Sequence, residues 1–392
     1  MAELLRQPDE LFDQLRRWPD VEAPNLFAFD ASDRLILDEA ADAIVAAPTG
    51  TVTVVNDHYG ALAIGAAALY GATGVRVFQD AMVGEAALDA NAHGVTTELQ
   101  SLPLGESLLS GARVVLLQMP RSLAELDEIT GEIARWAHPE VVVYAGGRIK
   151  HLALTMNAVI TKHFDRLDVS LARQKSRVLI ARGPRSGEPQ FPRREFHQEL
   201  GLWVCAQGAV FAGVQLDLGT RLLLSVLDSA LPDAQVAIDL GSGTGILAAS
   251  LARSRPGLRV IATDQSAAVA SSQATMIANE LAYRVTVVRD DGLRSQPDAS
   301  ADLIVLNPPF HVGATVHTGL ANRLFLDAAR VLRPGGELWT VYNSHLAYRA
   351  TLQSVIGSTR EVVRDSKFTV TSSRRRVMPA AAGAGSNDLG KG

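Results

Sequence analysis

The sequence has a single cysteine and no long apolar run, and each absence excludes a class of protein. Cys205 is the only cysteine among 392 residues, so an internal disulfide and a zinc site built from several cysteines are excluded. No apolar run approaches the roughly 20 residues that a membrane-spanning helix needs. Charges scattered through the first 30 residues leave no apolar core for a signal peptide. We therefore expect a soluble, cytoplasmic protein that requires neither a membrane nor a metal.

Length and composition favour two folded domains. The chain is 47% hydrophobic and 20% charged, without low-complexity blocks, which is typical of globular proteins. At roughly 150 residues per domain, this length favours two domains. A Gly-, Pro-, Ser- and Arg-rich run at residues 183–194 indicates the boundary. We expect domains at residues 1–185 and 186–378, followed by a flexible tail at 379–392.

Charge is distributed unevenly along the chain. The formal net charge is −5, yet residues 1–147 contain 8 Lys and Arg against 22 Asp and Glu. Residues 148–195 contain 11 Lys and Arg against 4 acidic residues. The acidic segment would repel a polyphosphate, whereas the basic stretch can contact phosphates. The alternative, that this charge only keeps a linker solvated, stays open.

Apolar runs alternate with alanine-rich segments, a pattern typical of a parallel sheet covered by helices on both faces. The halves also resemble each other, because VRVFQD at 75–80 aligns with LRVIATD at 258–264, and RVVLLQMP at 113–120 aligns with DLIVLNPP at 302–309. We infer two tandem copies of one α/β fold. A hairpin is expected at 203–211, and the strands are expected at residues 51–55, 75–78, 113–117, 140–144, 236–239, 258–263, 285–288, 302–306 and 337–342.

A glycine-rich turn follows the first apolar strand of the second half, where residues 236–245 read VAIDLGSGTG. Asp239 ends the predicted strand, and Gly241, Gly243 and Gly245 allow positive φ angles and close approach of the backbone to a ligand. The dinucleotide fingerprint would need a glycine where Ile246 stands. An Asp followed by G-x-G-x-G is instead typical of methyltransferases that use S-adenosylmethionine.

Three acidic residues could complete this site. Asp264 ends the next strand, 19 residues beyond Gly245, close to the offset of about 20 at which an acid reaches ribose hydroxyls. Asp291 follows the third strand and could bind an adenine amino group, although paired aspartates are also common in turns. Asp217 has two open roles: contact with the methionine end of the cofactor, or capping of a helix that begins near Gly219.

The tetrapeptide Asn307-Pro308-Pro309-Phe310 directly follows the strand at 302–306. It indicates methyl transfer to an amine conjugated with a ring or carbonyl, whose delocalised lone pair is a poor nucleophile. A rigid Pro-Pro turn can present the Asn307 side-chain oxygen and the Pro308 carbonyl as acceptors for the amine N–H groups, and Phe310 can stack on the base. Such acceptors favour a pyramidal nitrogen, so positioning and preorganisation replace a strong general base. We predict Asn307, Pro308 and Phe310 as the catalytic residues.

The motifs DLGSGTG, ATDQSAAVASSQ, LNPPFH and GELWTVYNSHLAY together resemble the ribosomal RNA guanine-N2 methyltransferases of the RsmC/RlmG type. VNDHYGALA, LQMPRSLAELD and VFAGVQLDLG extend this resemblance over nearly the whole chain and are nearer to the RlmG-like branch. It implies two Rossmann-like methyltransferase folds with mostly parallel seven-stranded sheets, the N-terminal copy degenerate. It also implies S-adenosylmethionine as cofactor and guanosine N2 in ribosomal RNA, free or in an assembly intermediate, as acceptor. The cofactor-binding residues are then Asp239, Gly241, Gly243, Gly245, Asp264, Asp291 and Asn307.

The first copy lacks most of these motifs. Residues 56–61 read NDHYGA instead of a G-x-G-x-G loop, and residues 118–121 read QMPR without the Asn and the aromatic. Asp80 is still present at the position that corresponds to Asp264.

Two alternative functions stay open. In the first, the acceptor is a protein glutamine amide or a DNA adenine, since both chemistries use related Asn/Asp-Pro-Pro-aromatic turns. In the second, the protein is a non-catalytic RNA-binding protein of ribosome assembly.

Overall fold

A computed structural model describes residues 8–94, 99–266, 268–308 and 314–377 of the chain. Two seven-stranded sheets and one two-stranded sheet carry the architecture. The described residues form two compact units, one drawn from 1–216, 242–250 and 262–291, the other from 217–241, 251–261 and 292–392. The tail expected at 379–392 lies outside the described residues. No described helix is long and apolar enough to cross a membrane.

The first sheet has the strand order β3-β2-β1-β4-β5-β7-β6. Strand β7 runs antiparallel to β5 and β6, and the other neighbouring pairs are parallel. The strands are β1 (Val52–Val55), β2 (Val75–Phe78), β3 (Leu99–Ser101), β4 (Val114–Gln118), β5 (Val142–Arg148), β6 (Phe164–Val169) and β7 (Ser176–Pro184). The helices are α1 (Pro8–Asp13), α2 (Ala31–Ala46), α3 (Ala61–Tyr70), α4 (Met82–Ala92), α5 (Glu106–Leu109), α6 (Leu123–Trp136) and α7 (Leu154–His163), with a 3-10 turn at Ile149–His151.

The central strands of this sheet are apolar on both faces because helices cover both. Every residue of β4 is buried. Val114 and Leu116 belong to one apolar cluster, with α2 and α3. Val115 and Leu117 belong to another, with α6 and α7. Successive strand residues point to opposite faces, so a continuous apolar run is what a doubly covered strand requires.

The second sheet repeats the same order, β12-β11-β10-β13-β14-β16-β15. Its strands are β10 (Val236–Leu240), β11 (Arg259–Asp264), β12 (Val285–Arg289), β13 (Ala301–Leu306), β14 (Leu332–Asn343), β15 (Gly357–Arg364) and β16 (Phe368–Arg375). The accompanying helices are α8 (Leu218–Leu224), α9 (Ile246–Ser254), α10 (Ala268–Ala278), α11 (Ala314–Val331) and α12 (Arg349–Val355), with 3-10 turns at Leu227–Ser229 and Ser344–Leu346. The predicted pair of mostly parallel, seven-stranded, Rossmann-like folds is confirmed.

The hairpin between the sheets differs from the prediction. It consists of β8 (Arg193–His197) and β9 (Leu202–Ala206), which pair antiparallel. Residues 203–211 therefore include most of the second strand and none of the first, and Gly208 lies beyond both. The first strand was missed because its sequence, RREFH, is mostly charged and resembles a solvated linker.

Candidate active site at the end of strand β13

Asn307 follows the last residue of β13, and its side chain is held by the first turn of α8. Its Nδ2 donates a hydrogen bond to Oγ1 of Thr220 at 2.8 Å and another to Oδ2 of Asp217 at 3.1 Å. Pro308, the next residue, is buried. Strand β13 is itself central and almost wholly buried, pairing with β10 and β14. The Asn307 amide therefore follows a strand that is held in place by neighbouring strands on both sides.

Asp217 performs one of its two proposed roles and a further one that the sequence did not indicate. Its Oδ2 accepts the Thr220 backbone N–H at 3.1 Å, which caps α8. The predicted capping role is therefore confirmed. The same oxygen accepts the amide of Asn307, a residue 90 positions away in sequence. No local pattern could have indicated this pairing, because it arises only when α8 lies beside the end of β13.

These two hydrogen bonds fix the orientation of the Asn307 amide. A carboxylate can only accept hydrogen bonds, so the NH2 group must face Asp217 and the carbonyl oxygen must face away. Oδ1 of Asn307 is buried and has no hydrogen-bond partner among the residues that the structure describes. A buried acceptor without a partner costs about 1–3 kcal/mol. The site therefore presents one oriented acceptor that is suited to an incoming N–H group.

Phe310, the third predicted catalytic residue, and Pro309 lie outside the described residues. The stacking role of Phe310 stays a prediction.

Strand β10 extends one residue further than expected, to Leu240, so Asp239 lies inside it and is completely buried. Asp291 follows β12 and is 6% exposed.

The loop after β10 adopts the backbone that its three glycines predict. The φ angles of Gly241, Gly243 and Gly245 are +71°, +55° and +77°. A Cβ atom added at Gly241 or Gly243 would have no described atom within 4 Å, whereas one at Gly245 would lie 2.8 Å from the Met276 side chain. The first two glycines therefore border open space that a side chain would fill, and the third permits close packing against α10.

Asp264 is tied to this loop at the end of β11. Its Oδ2 accepts the Gly243 backbone N–H at 3.0 Å, and its Oδ1 accepts from both the backbone and the hydroxyl of Ser266. A carboxylate offers about four acceptor positions, and the described residues use three of them, which leaves one for a ligand hydroxyl. The Ser272 hydroxyl also donates to the carbonyl of Gly243 at 3.0 Å. The loop and the acid are thus held in one arrangement.

The corresponding loop of the first copy has the same backbone but different side chains. Val55 at the end of β1 pairs with Leu117, and Leu240 at the end of β10 pairs with Leu306, so the two loops begin at equivalent positions. Asn56, His58 and Gly60 are therefore equivalent to Gly241, Gly243 and Gly245. All three have positive φ, at 60°, 60° and 100°. Side chains therefore stand at the two positions that border open space in the second copy.

Two side chains of this loop also form internal contacts. The buried Asn56 side chain donates through Nδ2 to Oε1 of Glu125 at 2.9 Å. The carboxylate of Asp57 accepts the backbone N–H groups of Leu62 and Ala63 at 2.7 and 2.9 Å. Backbone N–H groups at a helix start are the ones that bind anionic groups of ligands. In the first copy, a side chain of the protein already occupies them.

Much of the predicted basic stretch is neutralised within the protein. Six of its basic side chains lie within 4 Å of a carboxylate: Lys162 and Arg193 near Asp127, Arg173 near Asp38, Arg166 and Arg182 near Asp168, and Arg185 near Asp165. Arg194 instead stacks on the ring of Trp203, with 3.9 Å between its guanidinium carbon and the ring centroid. The excess charge of residues 148–195 therefore overstates the charge available to phosphates.

A cavity of about 900 Å³ lies away from the predicted catalytic residues and has an acidic lining. Its wall includes Glu125 and Glu128 of α6, together with Asp80. The pKa of both glutamates is raised from 4.5 to about 7, mainly by burial and in smaller part by the charge of Asp80. Such a lining disfavours phosphate groups. No cluster of potential metal ligands occurs among the described residues.

The chain matches two family models that together cover most of its length. Residues 3–185 match the RLMG N-terminal domain, and residues 201–372 match the methyltransferase small domain. The chain is 32% identical to ribosomal RNA large subunit methyltransferase G of Streptomyces coelicolor, over 91% of this chain and 96% of that protein. It is 33% identical to the protein of the same name from Pseudomonas aeruginosa, with the same coverage.

A solved structure shares the complete fold. The 16S rRNA N2 methyltransferase RsmC of T. thermophilus, in complex with AdoMet and guanosine, superposes with a TM-score of 0.69. The alignment covers 91% of this chain and 97% of that chain, at 22% sequence identity. At this identity, the likeness establishes the tandem fold.

Proposed function

Because the chain belongs to the ribosomal RNA large subunit methyltransferase G family, we propose that it methylates the exocyclic N2 amine of a guanosine in ribosomal RNA, with S-adenosylmethionine as the methyl donor. The relatives' shared name supports ribosomal RNA as the substrate. The second copy, at residues 186–378, would hold both substrates, and the first copy, at 1–185, would contribute to RNA binding. With this substrate the protein would act in the cytoplasm.

The loop after β10 fits the proposed cofactor. Gly241 and Gly243 border open space, so a ligand can contact their backbone directly. Asp264 keeps an acceptor position for ribose hydroxyls, and Asp291 follows the neighbouring strand β12, where an adenine amino group would be bound. Asp239 and Gly245 would complete the cofactor site at the end of β10. When bound, S-adenosylmethionine supplies an electrophilic methyl group on a sulfonium centre.

Asn307 would prepare the amine to receive this methyl group. The guanosine must leave its helix or lie in a single-stranded element so that N2 can reach the site. Oδ1 of Asn307 would accept one N–H of the amine, the Pro308 carbonyl would accept the other, and Phe310 would stack on the base. These contacts draw the lone pair out of conjugation. The nitrogen would bond to the methyl carbon as the methyl–sulfur bond breaks and the sulfur leaves as a neutral thioether. The nitrogen, now cationic and acidic, would then lose a proton to water.

The observation that carries this proposal is the fixed and buried Oδ1 of Asn307, which has no hydrogen-bond partner among the described residues. We expect Asn307→Ala to reduce kcat for methyl transfer to ribosomal RNA by at least about a hundredfold, the scale for loss of one preorganised hydrogen-bonding group. Calorimetry should show cofactor affinity within about threefold of wild type, since the glycine loop is untouched. Full turnover by this variant would refute the role of Asn307.

Two other functions remain to be separated from this one by experiment. Transfer of a labelled methyl group can be compared on deproteinised ribosomal RNA, on protein and on DNA. Label in protein glutamine or DNA adenine would show that the chemistry is right and the acceptor wrong. Absence of S-adenosylmethionine binding in calorimetry would instead favour a non-catalytic RNA-binding protein. Mass spectrometry of rRNA nucleosides from cells with and without the gene would identify the modified position.

A further inference from the structure

Three basic residues cluster where β4 and β5 leave the first sheet. Gln118, at the end of β4, pairs with Gly146 of β5, and the Met119 backbone N–H donates to the Gly146 carbonyl at 2.8 Å. The two chain segments therefore leave the sheet side by side. Arg121 lies three residues beyond β4, Arg148 is the last residue of β5, and Lys150 lies in the following 3-10 turn.

The positive charges of these three residues all act on the neighbouring His151. The pKa of His151 is lowered, first by loss of hydration and then by the positive charges of Arg121, Lys150 and Arg148, while Asp30 acts in the opposite direction. Asp30 is engaged elsewhere, because its carboxylate accepts the backbone N–H of Ser32 in the cap of α2. The positive field at this edge is therefore only partly compensated.

Arg121, Arg148 and Lys150 also differ from the six paired basic residues of the 148–195 stretch in their lack of acidic partners. None of the three forms an ion pair with a carboxylate within the part of the chain that the structure describes. Arg121 and Lys150 are exposed, and Arg148 is half-buried. Since residues 1–147 carry a large excess of acid, an unpaired basic cluster is a distinct local feature of this surface.

We propose that this basic edge, formed by Arg121, Arg148 and Lys150, binds backbone phosphates of the RNA substrate. The identity of the ligand rests on the proposed function. A guanidinium group can bind phosphate through two parallel hydrogen bonds, and the ammonium group of Lys150 adds a point charge. The corresponding edge of the second copy carries Asn307 and Pro308. One copy would thus use this edge of the fold to hold RNA, and the other would use it for chemistry.

The test compares two triple variants that remove equal charge. The test variant is Arg121→Gln, Arg148→Gln and Lys150→Gln. The control is Arg166→Gln, Arg173→Gln and Arg182→Gln, whose arginines are all paired with Asp168 or Asp38. Affinity for a large-subunit rRNA transcript is measured by filter binding between about 50 and 300 mM salt, where each lost phosphate contact lowers the logarithmic salt slope by about 0.7–0.9. Thermal unfolding and calorimetry with S-adenosylmethionine verify that each variant remains folded.

We expect the salt slope of the test variant to fall by about two to three and its Kd near 150 mM salt to rise about ten- to a hundredfold. Its KM for RNA should rise while kcat under RNA saturation and cofactor affinity stay unchanged. The control should remain within about threefold of wild type. If wild type methylates RNA and the test variant matches wild type or the control, the basic edge is refuted and the proposed function stands. If wild type neither binds nor methylates RNA, both are refuted.

Discussion

Asn307 illustrates how a reactive geometry depends on partners that are distant in sequence. The motif predicts an acceptor oxygen, but an isolated Asn side chain can present either end of its amide to a substrate. Asp217 and Thr220 remove this ambiguity, because both accept hydrogen bonds from Nδ2. The sequence therefore predicted the position of this side chain at the end of a central strand, but it could not predict the orientation of its amide.

The Thr220 hydroxyl offers a direct test of this positioning. We expect Thr220→Val, which keeps the shape of the side chain, to lower kcat about three- to tenfold, in line with about 1 kcal/mol for a lost hydrogen bond. KM for S-adenosylmethionine should not change. Thr220→Ser retains the hydroxyl and should recover most of the rate. Steady-state kinetics on both variants provide the measurement, and equal rates for Val and Ser would show that the hydroxyl does not position Asn307.

Strands were predictable where burial on both faces dictates their composition. The strand expected at 75–78 matches β2 at both ends, and the strand expected at 302–306 matches the end of β13 and differs by one residue at its start. Strand β14 instead begins at Leu332, five residues before the expected start. Its first part contains Pro334, Gly335 and Gly336, which indicate a turn, and a register shift between Ala301 and Leu303 accommodates it. Tertiary pairing here overrides local preference.

Helix α6 carries a pH-dependent contribution to stability. Glu125 and Glu128 have folded-state pKa values of about 7, raised from 4.5 mainly by burial. Their carboxyl groups keep protons in the folded state at pH values where the unfolded chain has released them. Unfolding therefore releases protons between about pH 4.5 and 7, and the free energy of unfolding falls as pH rises through this window.

The double variant Glu125→Gln and Glu128→Gln should remove this dependence. A glutamine carbonyl can still accept from Asn56 and from the Gly208 backbone N–H, as the carboxylates do. We expect similar stability to wild type near pH 5 and higher stability near pH 8, by about 1–2 kcal/mol per carboxyl after allowance for residual solvent. Thermal unfolding midpoints at both pH values test this. Parallel pH profiles for the two proteins would contradict it.

The two halves of the chain are copies of one fold, and among the described residues the glycine loop of the second copy borders open space where the loop of the first copy carries side chains. Both sheets share one strand order, and both loops place positive φ angles at three equivalent positions. The sequence predicted the duplication because strand-end motifs align. It could not show that Asn56 and His58 retain the glycine conformation, since nonglycine residues rarely adopt it.

We therefore expect one S-adenosylmethionine to bind per chain. In the first copy, side chains stand where Gly241 and Gly243 leave open space, and Asp57 occupies the backbone N–H groups at the start of α3. Gly241→Ala should weaken binding at least about tenfold, because its methyl group enters that space at a positive φ. The matched first-copy variant, Asn56→Gly with His58→Gly, should bind one equivalent with wild-type affinity, since the Asp57 contacts remain. Calorimetric stoichiometry distinguishes these outcomes, and two equivalents bound by wild type would show that the first copy is still a cofactor site.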